Sequence, residues 1–239
     1  MKTIKSAESV RDEVRIRTMF DRVAGKYDRI NSVMTAGLHR RWRERAADLA
    51  ALRCGDRALD VCCGTGDLAL ALVRRVSPGG EVVATDFSES MLALARRKAL
   101  AQEVQVEFCT ANTLKLPFED RSFDACTVGF GVRNLADIDL GLAEMVRVVK
   151  PGGRVVCLEI TTPKAPLSWF FKIWFDRIVP RIGTVAGNRY AYTYLPWSVR
   201  NFPSAPELAC RMSAMGLQQV DYELLGGTAI AIHHGTVAN

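Results

Sequence analysis

Apolar residues recur along this chain in two rhythms. Over residues 10–24 and 33–52 they fall three or four apart, which predicts two amphipathic helices before anything else begins. From residue 57 short apolar runs alternate with helical stretches. Residues 57–63 form a run that enters Gly64-Thr65-Gly66, and a helix follows to about residue 76. After the turn Ser77-Pro78-Gly79-Gly80, residues 81–87 read as a second strand. Residues 88–101 read as a helix with Ser88 as its cap and Glu89 in its first turn. Further strands are predicted over 104–111, 123–130 and 154–160, with a helix over 138–149 stopped by Pro151-Gly152-Gly153. Such alternation predicts a doubly wound, Rossmann-like α/β fold: a mostly parallel sheet covered by helices on both faces.

The C-terminal part has another pattern. Residues 167–182 are helical in spacing and dense in aromatics, and 205–215 predict a further helix. Strands over 217–225 and 229–234 flank Gly226-Gly227, which predicts an antiparallel hairpin at the sheet edge. No linker or repeat divides the chain, so residues 1–239 are expected to form one domain. Residues 10–52 are expected to be an N-terminal helical lid, and residues 163–203 a helical insertion facing substrate or membrane.

Composition narrows the picture. The chain is 49 % hydrophobic and 24 % charged, ordinary for a globular domain able to bury a core. No run approaches the roughly 18 apolar residues of a membrane span, and the polar first residues lack a signal core. A cytoplasmic protein is therefore expected. The seven cysteines include no C-x-x-C pair and are read as reduced thiols, with no metal site expected. Cys62 and Cys63 would face opposite sides of a strand. The net charge of +6 is concentrated in residues 11–53 and 164–200, which predicts a positive face, unless these are solvated helix surfaces.

The glycine turn is the most informative segment. Leu59-Asp60-Val61-Cys62-Cys63-Gly64-Thr65-Gly66-Asp67 reads as strand, turn and helix, where glycines admit a ligand that a Cβ would exclude. Asp86 ends the second strand, placed to accept hydrogen bonds from two ribose hydroxyls. That much also fits an NAD-binding domain. Asp60 and Asp67, however, add negative charge where a pyrophosphate would lie, and so favour the cationic methionine end of S-adenosylmethionine (SAM). After the third strand, Asn112 is placed to bond an adenine edge with Thr113 beside it, local turn-capping being the alternative.

Four stretches bear a closer likeness: Phe20 to Asp28 continuing through Asn31, His39 and Trp42; the glycine turn with Asp86; Phe130-Gly131-Val132-Arg133-Asn134; and Arg147 to Gly153 leading to Glu159. With Tyr192-Thr193-Tyr194-Leu195-Pro196, Ser198 and Phe202-Pro203, they resemble the ubiquinone/menaquinone biosynthesis C-methyltransferase family from about Arg17 to Gly235. The resemblance implies a class I SAM-dependent methyltransferase acting on a ring carbon of a polyprenylated quinol, demethylmenaquinol first and a benzoquinol as the alternative. It implies SAM contacts at Thr65, Asp86, Asn112 and Thr113, to which the turn adds Asp60, Gly64 and Gly66. A serine common before the Phe-Gly-x-Arg-Asn motif is Gly129 here, so that contact is absent or replaced.

Ring methylation needs the neighbouring hydroxyl ionised and the carbon held near the methyl, a positional effect worth up to roughly 7–11 kcal/mol. Arg133, beyond the fourth strand, is the candidate that stabilises the hydroquinolate, with a surface salt bridge as its alternative. Asn134 is expected to fix its guanidinium, and Tyr27 to reach the substrate oxygen from the lid. His39 is expected to pack with one nitrogen satisfied, while His233 and His234 are given no chemistry. The aromatic stretch of residues 167–182, interleaved with Lys172, Arg177 and Arg181, has three uses open to it. It can line a prenyl-tail tunnel, rest on the inner face of the cytoplasmic membrane, or form a buried or homodimer contact. A dehydrogenase lacks its Tyr-x-x-x-Lys, and a nucleic-acid methyltransferase lacks an Asn-Pro-Pro-Tyr-like loop, so no nucleic-acid partner is expected. A non-catalytic SAM-binding protein remains the other class.

Overall fold

The computed structural model describes residues 2–163 and 189–238. Two helices come first, α1 (Lys2–Met34) and α2 (Leu38–Leu49). The alternating part follows as β1 (Arg57–Val61), α3 (Asp67–Val76), β2 (Glu81–Asp86), α4 (Glu89–Ala101), β3 (Glu107–Thr110), β4 (Phe123–Gly129), α5 (Ile138–Val148) and β5 (Val149–Ile160). The chain closes with α6 (Arg189–Arg200), α7 (Ala205–Ala214), β6 (Leu217–Leu225) and β7 (Ile230–Val237).

Among the described residues these strands form one seven-stranded sheet in the order β3-β2-β1-β4-β5-β7-β6. The first five run parallel, while β7 pairs antiparallel with both β5 and β6, as the Gly226-Gly227 turn predicted. Buried apolar side chains pack on both faces, around Leu59, Phe123 and Leu142 on one side and Leu72, Ala84 and Leu158 on the other. Near-continuous apolar strands are what burial on both faces requires.

The carboxyl ends of β1 and β4 lie side by side, Val61 against Val128, and this is where the site forms. After β4 the chain stays close: a Cβ on Gly131 would lie 2.4 Å from the Cβ of Cys62, so only glycine lets the two loops approach. Leu68 fills the space beside Gly129, where an added Cβ would come within 3.2 Å of its Cδ2.

The structure departs from the sequence pattern in four places. The first helix runs unbroken through Gly25 to Met34, and the break falls at residues 35–37. Gly25 costs such a helix up to about 1 kcal/mol, and side-chain anchors on either side of it offset that cost: Ser88 Oγ donates to Asp21 (2.6 Å) and Thr65 Oγ1 to Asp28 (2.6 Å). Strand β1 ends at Val61, because Cys62 takes a left-handed φ of 52°, so the two cysteines are not alternate strand residues. Helix α5 ends at Val148, before the Pro-Gly-Gly turn, and Val149 already pairs with Phe123. The positive face is partly offset, since Arg45 pairs with Glu223. The aromatic stretch of residues 167–182 lies outside the described residues.

Candidate active site

Two cavities open at the carboxyl end of the sheet and meet at a wall made of Phe20, Tyr27, Arg43 and Phe130. The first, about 880 Å³ with its mouth, lies over the glycine turn and has Asp60 and Asp86 in its lining. Gly64 and Gly66 both have positive φ, 54° and 83°. A Cβ at Gly64 would meet only open space, so the backbone there is bare. Gly66, by contrast, is absent from the lining: it packs against α4, where an added Cβ would come within 3.0 Å of Ala95 Cβ.

Asp60 is fully buried. Its Oδ1 accepts from Thr127 Oγ1 at 2.7 Å, whereas Oδ2 has no hydrogen-bond partner of full geometry, although the Ala69 amide leans toward the carboxylate. Burial pushes its pKa up to about 7. An acceptor left bare in a water-poor wall is a place for a cation. Asp86 accepts from the backbone amides of Gly64 (2.8 Å) and Ser88 (2.9 Å), and burial pushes it up to about 6. Asp67 does not line this cavity. Burial works against its charge, but Arg43 and Lys98 outweigh that and lower its pKa, Lys98 Nζ lying 2.5 Å away.

Thr65, Asn112 and Thr113 also line the first cavity. Thr65 Oγ1 donates to Asp28 and accepts from Lys98 (3.0 Å), tying the turn to α1 and α4. Asn112 Oδ1 accepts from the Leu114 amide at 2.9 Å, the local turn cap weighed as the alternative. Thr113 Oγ1 lies 3.3 Å from Cys62 Sγ, a thiol that burial pushes up to about 12. All seven cysteines are free. No group of three or more His, Cys, Asp or Glu among the described residues is placed to hold a metal.

The second cavity, about 890 Å³ with its mouth, is mostly apolar and includes Met19, Ile30, Trp42 and Leu195, with no carboxylate among the described residues of its lining. Arg133 faces this cavity, and its side chain is only 7 % exposed rather than lying on the surface. Its Nη1 donates to Glu159 Oε1 and to the Phe130 carbonyl, both at 2.6 Å, and its Nε is buried without a partner. Burial opposes the charge, but Glu159 outweighs it and raises the arginine's pKa. Asn134 does not touch the guanidinium. It shares the Phe130 carbonyl (3.3 Å), accepts from the Tyr194 hydroxyl (3.1 Å) and lines the first cavity. Phe130 is thus held in a left-handed conformation (φ 62°), a strained residue at the wall between the cavities. His39 has both nitrogens engaged, Nε2 with Ser32 Oγ (3.1 Å) and Nδ1 with Arg43 Nη1 (2.5 Å). Burial, then the charge of Arg43, lowers its pKa. His233 is a buried tie to the Ala205 carbonyl at 2.8 Å.

Residues 8–237 match the ubiE/COQ5 methyltransferase family. The chain belongs to that family. Among curated relatives, a demethylmenaquinone methyltransferase of Thermus thermophilus is 47 % identical over 91 % of this chain and 99 % of its own. One of Deinococcus radiodurans is 46 % identical over 85 % of each. Solved structures share the fold: a SAM-dependent methyltransferase from Aquifex aeolicus (20 % identity, TM-score 0.62, 82 % of this chain and 89 % of that one) and a possible histamine N-methyltransferase from Thermotoga maritima (18 %, 0.64, 92 % and 98 %). The fold is that of SAM-dependent methyltransferases, and the protein is a methyltransferase.

Arg43 joins the candidate site from outside every motif quoted from the sequence, while Glu159, Phe130 and Tyr194 stood in such motifs without an assigned role and make contacts here. Arg43 carried a readable signal, since it lies four residues from His39 and shares its helix face.

The Asp60 carboxyl gives a pH signature. Its pKa in the fold stands above the ordinary value near 4, so between about pH 4 and 7 the fold holds a proton that the unfolded chain does not. Stability from this residue therefore rises as pH falls through 7. Chemical denaturation without ligand should show about 1 kcal/mol more stability at pH 6 than at pH 8 from this source. Asp60→Asn should lose that difference, and an equal pH dependence in the variant would refute the assignment.

Proposed function

We propose that this chain transfers a methyl group from SAM to a ring carbon of demethylmenaquinol, giving menaquinol, the last step of menaquinone biosynthesis. The observation that carries this reading is the junction of an acid-lined cavity over a glycine turn with an apolar cavity faced by Arg133. The relatives named demethylmenaquinone methyltransferase support the substrate. The residues fit the donor: Asp60 Oδ2 is a buried acceptor suited to a cation, the bare backbone at Gly64 admits close approach, and Asp86 stands where ribose hydroxyls would lie. Asn112 and Thr113 take the adenine end. When bound, SAM supplies an electrophilic methyl on a positively charged sulfur.

The chain's own part is to hold the ring and keep it ionised. Arg133, fixed by Glu159, offers its guanidinium to the hydroquinolate oxygen in a cavity with no competing carboxylate among the described residues that line it. Tyr27, on the shared wall, reaches the same oxygen. Asn134 keeps the Phe130 carbonyl and Tyr194 in place and acts as a positioning residue. Phe20, packed edge-on against both Tyr27 and Phe87, helps exclude water. The prenyl tail brings the enzyme to the inner membrane surface as a peripheral protein. No helix among the described residues is long and apolar enough to cross a membrane.

Purified protein given methyl-labelled SAM should label reduced demethylmenaquinol in preference to a demethylated benzoquinol. Transfer to neither ring refutes the reading. Removing Arg133 alone would strand the buried Glu159, so Arg133→Gln is best combined with Glu159→Gln. Turnover should fall about 100- to 1000-fold, with SAM affinity kept within about threefold. Unchanged turnover removes Arg133 from the chemistry. In flotation, the protein should rise with anionic phospholipid vesicles, and protein left at the bottom of the gradient would defeat the membrane assignment.

A further inference from the structure

The acid-lined cavity has a polarity that Asp60 and Asp86 leave incomplete. A methionyl group ends in both an ammonium and a carboxylate, and two aspartates suit only the first. Among the described residues lining this cavity, Arg43 is the one basic side chain. It is 7 % exposed, yet among the described residues it has no carboxylate to itself. Asp67 lies 3.9 Å from Nη1 and is already engaged by Lys98 at 2.5 Å. A buried guanidinium with so weak a counter-charge is costly unless an anion comes to it.

The surroundings hold Arg43 in one pose. Nη1 donates to His39 Nδ1 at 2.5 Å and to the His39 carbonyl at 3.3 Å. Accepting at Nδ1 places the His39 proton on Nε2, which donates to Ser32 Oγ at 3.1 Å. The guanidinium carbon lies 5.3 Å from the centre of the Phe130 ring, over its face. Nη1 is thereby used, while Nε and Nη2 make no hydrogen bond to the described residues. Those two are the pair that a carboxylate takes side by side.

We propose that Arg43 binds the α-carboxylate of the methyl donor, with His39 as the positioning residue that aims it. This rests on the reading that the acid-lined cavity holds SAM. Arg43 and Asp60 together then recognise a zwitterion, with the cationic end buried at β1 and the anionic end turned toward α2.

Calorimetry with SAM and with decarboxylated SAM, which lacks only that carboxylate, separates the two claims. The full chain should bind SAM about 10- to 100-fold tighter than the decarboxylated form. Arg43→Gln should abolish the preference by weakening SAM alone, with the decarboxylated ligand held within about threefold. His39→Gln should reduce the preference in the same selective way, which a merely structural histidine would not do. If Arg43→Gln keeps the preference, the assignment is overturned although the cavity reading stands. If the unaltered chain binds neither ligand, the cavity reading itself fails. Should Arg43→Gln not fold, Arg43→Lys decides: a reduced preference supports the assignment, and an unreduced one overturns it.

Discussion

Charge taken out of water at the carboxyl end of the sheet is the constraint on which this site depends. Asp60, Arg133, Glu159 and Arg43 are all buried within a few residues of the strand ends or on the helix laid across them. In a medium of low polarity each must find an opposite charge or a set of hydrogen bonds. Arg133 and Glu159 satisfy one another and tie the β4 loop to β5. Asp60 has one hydrogen bond from Thr127 and is otherwise met by nothing charged at contact distance. The fold keeps that carboxylate buried because β1 is central, flanked by β2 and β4 on either side. An acceptor buried without a partner costs stability, and on the reading proposed above a positively charged ligand offsets that cost when it binds.

The same loops that bury these groups also divide the space between them. Phe130 is the divider: its amide donates to the Leu158 carbonyl (2.7 Å), its carbonyl takes bonds from Arg133 and Asn134, and its ring lies under Arg43. A left-handed conformation at a phenylalanine is strained, and it persists because backbone and side-chain bonds fix it from both ends. The acid-lined and the apolar cavity are thereby kept as separate compartments with a shared wall.

Much of this was legible in the amino-acid pattern, because the alternating rhythm reports burial directly. The strands beginning at Arg57, Glu81 and Phe123 follow from apolar runs bounded by turn residues, although the first stops at Val61 rather than Cys63, and the Ser88 cap was readable from its position. Gly25 misled, since a glycine in a polar stretch resembles a helix end unless one knows that Asp21 and Asp28 anchor it from either side. Asp67 misled in another way: its neighbourhood to the turn was plain, but Lys98, 31 residues on, neutralises it. Glu159 stood in a motif without an evident role, because its partner Arg133 lies 26 residues earlier on another strand end. Arg43 looked like one more cation on an amphipathic helix. Its spacing from His39 hinted at an inward face, and packing against Phe130 fixes it.

Helix α1 holds a wider consequence. It contributes Phe20 and Tyr27 to both cavities, and it is fastened to the sheet by Asp21 on Ser88 and by Asp28 on Thr65 and Lys98. On the reading proposed above, the methyl donor and the quinol ring therefore share one wall element. Any displacement of α1 would alter both cavities together, because Phe20 and Tyr27 belong to each.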